Sequence, residues 1–80
     1  MTGSEPGGDG RNDPVIRKIT ERKKRFLPLL LLGDEQEELI DAYLERGRMY
    51  ILENGGEKAV CVVTEEGDGI LEIQNIAVVP

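Results

Sequence analysis

The stretch that most restricts what this chain can fold into is the last one, Gly69–Pro80, reading GILEIQNIAVVP. It is rich in β-branched residues and lies between a glycine turn and a proline, which predicts a largely buried strand over Ile70–Val79. Its alternation slips once. Leu71 and Ile73 fall in step, the next apolar pair in step is Ile76 and Val78, and the two-residue period therefore shifts by one across Gln74 and Asn75. Such a slip is the pattern of a β-bulge, which bends a strand and frees backbone groups from the ladder.

The chain before that strand divides into simple pieces. Residues 1–14 contain no apolar residue except Met1; they cannot bury enough surface to offset the entropy of ordering and read as a disordered tail. Val15–Ile19 alternates and carries Arg17 and Lys18, as suits a short strand at a sheet edge. Thr20 is the expected N-cap of a helix opening at Glu21, which Pro28 should kink or restart because it has no amide hydrogen to donate. The basic run Arg22–Arg25 reads as the solvated face of that helix, its stems covering the apolar residues from Phe26 to Leu32. After Gly33, Asp34 and Glu37 form a capping-box-like pair that starts a second helix, about Glu35–Arg46. Its expected buried stripe is Leu39, Ile40, Tyr43 and Leu44, and Gly47 ends it.

Beyond Gly47 the period changes to two. Met49–Glu53, Lys58–Thr64 and Ile70–Val79 are successive strands joined at Asn54-Gly55-Gly56 and Gly67-Asp68-Gly69, the residues of short turns, which predicts an antiparallel meander. Val60 and Val62 on one face and Ala59, Cys61 and Val63 on the other mark the middle strand as central. The predicted fold class is α+β, in the order β-α-α-β-β-β, over residues 15–80.

Composition removes whole classes of chemistry. The 80 residues include no histidine, a single cysteine, and serine only at Ser4, so a Ser-His-Asp triad, a Cys-His pair, an internal disulfide and zinc-finger spacings are all excluded. Cys61 reads as a small buried hydrophobe. A net charge of -6 argues against nucleic acid as a partner. The leucine run Leu29–Leu32 is far short of the roughly twenty apolar residues that span a bilayer. A lone cysteine and no cleavable signal segment suggest a cytoplasmic protein.

The segment LEIQNIAVVP, Leu71–Pro80, resembles the fourth strand of the GNAT superfamily of N-acetyltransferases, and the order of elements before it is similar to that family's N-terminal half. The resemblance covers Val15–Pro80. It implies an acetyl-CoA-dependent enzyme acting on a primary amine, small-molecule or peptide, in which the bulged strand splays from a neighbour and holds the thioester arm. It also implies that the backbone of Ile76, Ala77 and Val78 binds the acetyl carbonyl and the pantetheine arm. The family's pyrophosphate loop, Gln/Arg-x-x-Gly-x-Gly or Ala, would follow Pro80. The isolated chain is therefore expected to be inactive and to bind acetyl-CoA weakly.

Glu72, just before the slip, matches by position a Glu-Ile segment that carries the general base in some members. A carboxylate among apolar neighbours would be suited to take a proton from an ammonium group. An ordinary surface glutamate is the other reading of that position. Gln74 and Asn75 either hold the bulge or face the acceptor, and Tyr43 and Tyr50 are assigned to packing. The alternative to an enzyme is a non-catalytic half-domain whose apolar strand pairs with a second copy, as a homodimer, or with a complementing C-terminal segment.

Overall fold

A computed structural model of the chain describes residues 13–80; the expected disordered tail lies outside these except for the exposed Asp13 and Pro14. The strands are β1 (Val15–Ile19), β2 (Arg48–Glu53), β3 (Glu57–Glu65) and β4 (Leu71–Val78), with helices α1 (Leu27–Gly33) and α2 (Glu37–Leu44) between β1 and β2. They form one antiparallel sheet in the order β1-β2-β3-β4. This is the α+β meander that the period-two segments and glycine turns predict. β1 is an edge strand, fixed to β2 by a bidentate ion pair in which Arg17 Nε and Nη2 each donate to Glu53 at 2.9 Å.

Both helices cover the same face. The core between them and the sheet contains Leu30, Ile40, Leu44, Met49, Ile51, Val60 and Val62, all fully buried, with Ile19, Phe26, Leu29, Tyr43 and Ala77 around them. Burying apolar area of this kind is the dominant favourable contribution to folding. Gly47 lets α2 run down onto β3: a Cβ there would lie 2.8 Å from Val62 Cγ1 and 3.0 Å from the Tyr43 carbonyl.

The first helical segment departs from expectation. Thr20 caps nothing; the chain turns at Arg22, whose φ of 51° is left-handed, and enters a 3₁₀ turn over Lys23–Phe26. The α-helix starts only at Leu27, with Pro28 in its first turn, where the missing amide hydrogen has no intrahelical partner to lose. The basic run is not a free solvated face either. Lys23 is buried and its ammonium donates to the carbonyls of Leu44 (3.0 Å), Glu45 (3.2 Å) and Gly47 (2.7 Å). These are groups at and just past the C-terminus of α2, where the helix dipole favours a cation. Lys24 bridges Glu37 and Asp41 at 2.7 Å each, and Arg25 lies 4.6 Å over the Phe26 ring. The run thus fastens the 3₁₀ turn to α2.

The capping box does not form. Asp34 Oδ1 accepts from the Gln36 amide at 3.3 Å, an Asx-type turn that delays the helix start to Glu37. With α2 reduced to about two turns, the buried stripe is Ile40, Tyr43 and Leu44; Leu39 falls on its flank and is exposed.

Candidate functional site

The bulge lies where the alternation slips. Val62 faces Asn75 while Val63 faces Ile73, which leaves Gln74 as the extra residue on β4. Just past β4, the Val79 amide donates toward β3, to the Lys58 carbonyl, at 2.8 Å. Antiparallel pairing alternates, so Ala77 and Asn75 also turn their main-chain groups into the ladder, and those of Ile76 and Val78 point away from β3 toward the open edge. Of the candidate coenzyme-binding residues, Ile76 and Val78 therefore have main-chain groups outside the β3–β4 ladder, the Ile76 carbonyl lying near Gly33, whereas those of Ala77 are within it and its methyl group is in the core.

The strand is not largely buried, contrary to expectation. Leu71, Ile73, Ile76 and Val78 are 56–69% exposed, whereas Asn75 is 3% exposed. The reason is geometric. Both helices lie on one face, the bulge directs Asn75 and Ala77 toward them, and the apolar side chains fall on the other face of an edge strand. Cys61 is on that open face too, half-buried rather than in the core. It lines an apolar groove of about 150 Å³ with Ile16, Tyr50, Leu52, Ala59, Ile76 and Val78 among others.

Asn75 is built into the helix side. Its Nδ2 donates to the Leu30 carbonyl and to the Tyr43 hydroxyl, both at 2.9 Å, so both its protons are used. Tyr43 OH in turn donates to Asp34 Oδ2 at 3.4 Å. Burial pushes the Tyr43 hydroxyl above its ordinary pKa, with the Asn75 hydrogen bond opposing the shift. Among the described residues Asn75 Oδ1 has no hydrogen-bond partner, and it lies against Gly33. A Cβ at position 33 would come within 2.3 Å of it and 3.0 Å of the Ile76 carbonyl, so only glycine lets the last turn of α1 approach the bulge this closely. Asn75 thus holds the bulge to α1 and α2, one of the two alternatives its position left open.

Glu72 pairs with Thr64 across the ladder, on the helix side of the sheet. It is exposed rather than enclosed by apolar neighbours, and its Oε1 accepts from Gln74 Nε2 at 3.1 Å. The same Nε2 donates to Thr64 Oγ1 at 2.9 Å, and Thr64 donates to Glu66 at 2.5 Å. Sequence reasoning missed Thr64 and Glu66. The signal was there for Thr64, which falls in step with Val60 and Val62 and is 1% exposed, since a hydroxyl on that face must find partners. Beyond the bulge, a cavity of about 280 Å³ opens between the start of α1 and the end of β4, lined by Phe26, Pro28, Leu29, Leu32 and Val79 with Arg25 and Glu57. Among the described residues no group of His, Cys, Asp and Glu side chains could hold a metal ion, and no helix is long and apolar enough to cross a membrane.

Two solved structures share this fold. An IAA acetyltransferase from Bacillus cereus superposes with a TM-score of 0.73 at 38% sequence identity over 82% of this chain. A Bacillus subtilis acetyltransferase, solved in complex with CoA, gives a TM-score of 0.73 at 34% identity over 82% of the chain. The chain has the fold of a GNAT N-terminal half. It spans 44% of the length of each of those two proteins. No protein-family model and no curated protein matches it.

Proposed function

We propose that the half-domain belongs to an acetyl-CoA-dependent N-acetyltransferase and contributes the bulged strand that holds the thioester, the acceptor being a primary amine on a small molecule or peptide. The observation that carries this reading is the pairing of a bulge at Gln74 with outward-facing main chain at Ile76 and Val78, in a fold that two acetyltransferases share. Acetyl-CoA supplies an acyl group activated as a thioester. Ile76 N–H donates to the carbonyl oxygen as negative charge develops there, the kind of contact worth roughly 3–4 kcal/mol in acyl transfer. The Val78 backbone aligns the arm. Glu72 would take one proton from the ammonium, directly or through a water, so that the free amine attacks the carbonyl carbon; the new C–N bond would form as the C–S bond breaks, and the second proton lost by the nitrogen would pass to the departing sulfur, so that CoA leaves as thiol. Ala77 contributes by packing under the strand rather than by its backbone.

A second reading has its own support: the exposed Leu71, Ile73, Ile76 and Val78, beside an open strand edge, suit pairing with a second copy. Native mass spectrometry with and without acetyl-CoA separates the two. Uptake of one coenzyme per assembled domain, by a longer chain or a complex with a second polypeptide, is the result expected of the enzyme. A homodimer of this chain that ignores acetyl-CoA would favour self-association instead. The chain alone is expected to bind acetyl-CoA weakly, and a sub-micromolar Kd on the isolated chain would overturn that part.

A further inference from the structure

Five side chains on the helix side of the sheet form one continuous hydrogen-bonded path: Arg46, Glu66, Thr64, Gln74 and Glu72. Its direction is not arbitrary. Arg46 Nη1 donates to Glu66 Oε2 at 3.2 Å, and a guanidinium beside the carboxylate favours the ionised form, which can only accept. Thr64 has a single hydroxyl proton, and Glu66 takes it. The Thr64 oxygen is then left with lone pairs alone, so whatever meets it next must donate. A glutamine at position 74 can do so only by presenting its nitrogen end. Its second N–H then falls to Glu72 Oε1. Because Thr64 is buried, it has no bulk water with which to exchange this arrangement.

From this geometry we infer that Gln74, the extra residue of the bulge, is a positioning residue for the Glu72 carboxylate, with its amide orientation set from a distance by Glu66 through Thr64. The inference rests on the reading of Glu72 as the proton acceptor, and gives the bulge a second use. Glu72 and Gln74, two positions apart, share the helix face, and the inserted residue turns Asn75 to that same face immediately after them. Glu72 Oε1 is held by Gln74, and Oε2 has no partner among the described residues.

The test needs neither coenzyme nor acceptor. The sequence contains two glutamines, Gln36 and Gln74, so in nuclear magnetic resonance spectra of the whole chain the exposed Gln36 side-chain amide is the internal reference. The Gln74 side-chain protons are expected to exchange with solvent about fivefold or more slowly than those of Gln36, as a hydrogen-bonded amide should, and to show contacts to the Thr64 methyl group and to Glu72. Thr64→Val, nearly isosteric, should erase that protection, and Thr64→Ser should restore it. Glu66→Met, at an exposed position, keeps the stem but removes the oxygen that accepts from both Arg46 and Thr64, freeing the hydroxyl to donate to Gln74; the amide should then turn its oxygen toward Thr64 and lose its contact with Glu72. Gln74 signals that match those of Gln36 in the unmodified chain, or that Thr64→Val and Glu66→Met both leave unchanged, would overturn the inference. If Thr64→Val does not fold, Glu66→Met decides alone. Either result leaves acetyl transfer to be judged by coenzyme uptake, so the two readings fail separately.

Discussion

β2 and β4 are built from similar residues and treat them in opposite ways. β2 sends Met49 and Ile51 into the core, both fully buried, and its burial follows its hydrophobicity. β4 buries an asparagine and exposes an isoleucine beside it. The difference is position in the sheet together with the bulge. An interior strand has neighbours on both sides under the helices. An edge strand with an inserted residue is free to turn its polar side chains inward, provided each finds partners, as Asn75 does in the Leu30 carbonyl and Tyr43 hydroxyl.

The largest effect that would sharpen this comparison is at β2. Ile51→Ala removes a fully buried side chain and should cost about 2–5 kcal/mol in urea unfolding. Next is Asn75→Ala, which leaves the Leu30 carbonyl and Tyr43 hydroxyl without their donor and should cost about 1–3 kcal/mol. Ile76→Ser, one position on, should change stability by no more than about 0.5 kcal/mol in the isolated chain. A cost at Ile76 equal to that at Ile51 would break the comparison, and would mean that the open face is covered in solution.

The smallest effect is with pH. The Thr64 hydroxyl and then Arg46 hold the Glu66 carboxyl below its ordinary value of 4.5. A carboxyl whose folded-state pKa is depressed adds stability that is fully present above the unfolded value and is lost as pH falls through the folded one. Glu66 is exposed, so the loss should be slight and reduced by salt. A Glu66 side-chain titration midpoint at or above that of an unfolded peptide would contradict the direction of the path through Thr64.

Much of this was legible in the residues. The strands, the glycine turns and the position of the bulge follow from period-two patterns and one phase slip, because both depend on local geometry alone. Which face of β4 would be buried was not legible, since that depends on where the helices dock. Lys23 was misread for a related reason: a lysine in a basic run ordinarily keeps its ammonium in water, and only the end of α2, brought close by the fold, supplies the carbonyls that let it be buried. Thr20 resembles an N-cap, but the chain spends Arg22 on a left-handed turn first. At the candidate site, the bulge at Gln74 could be read from the phase slip of the segment, whereas the route from Glu66 to Gln74 requires the β3–β4 register.

The strict meander order has a consequence for how the chain assembles. β2, β3 and β4 follow one another through short turns, so their contacts close at little entropic cost, while Arg17 and Glu53, which join β1 to β2, are 36 positions apart. Loop closure grows costlier with length, and contacts distant in sequence slow folding. The two hairpins should therefore form before the first strand zips on, and in pulse-labelled refolding the amides of β3 should gain protection ahead of those of β1.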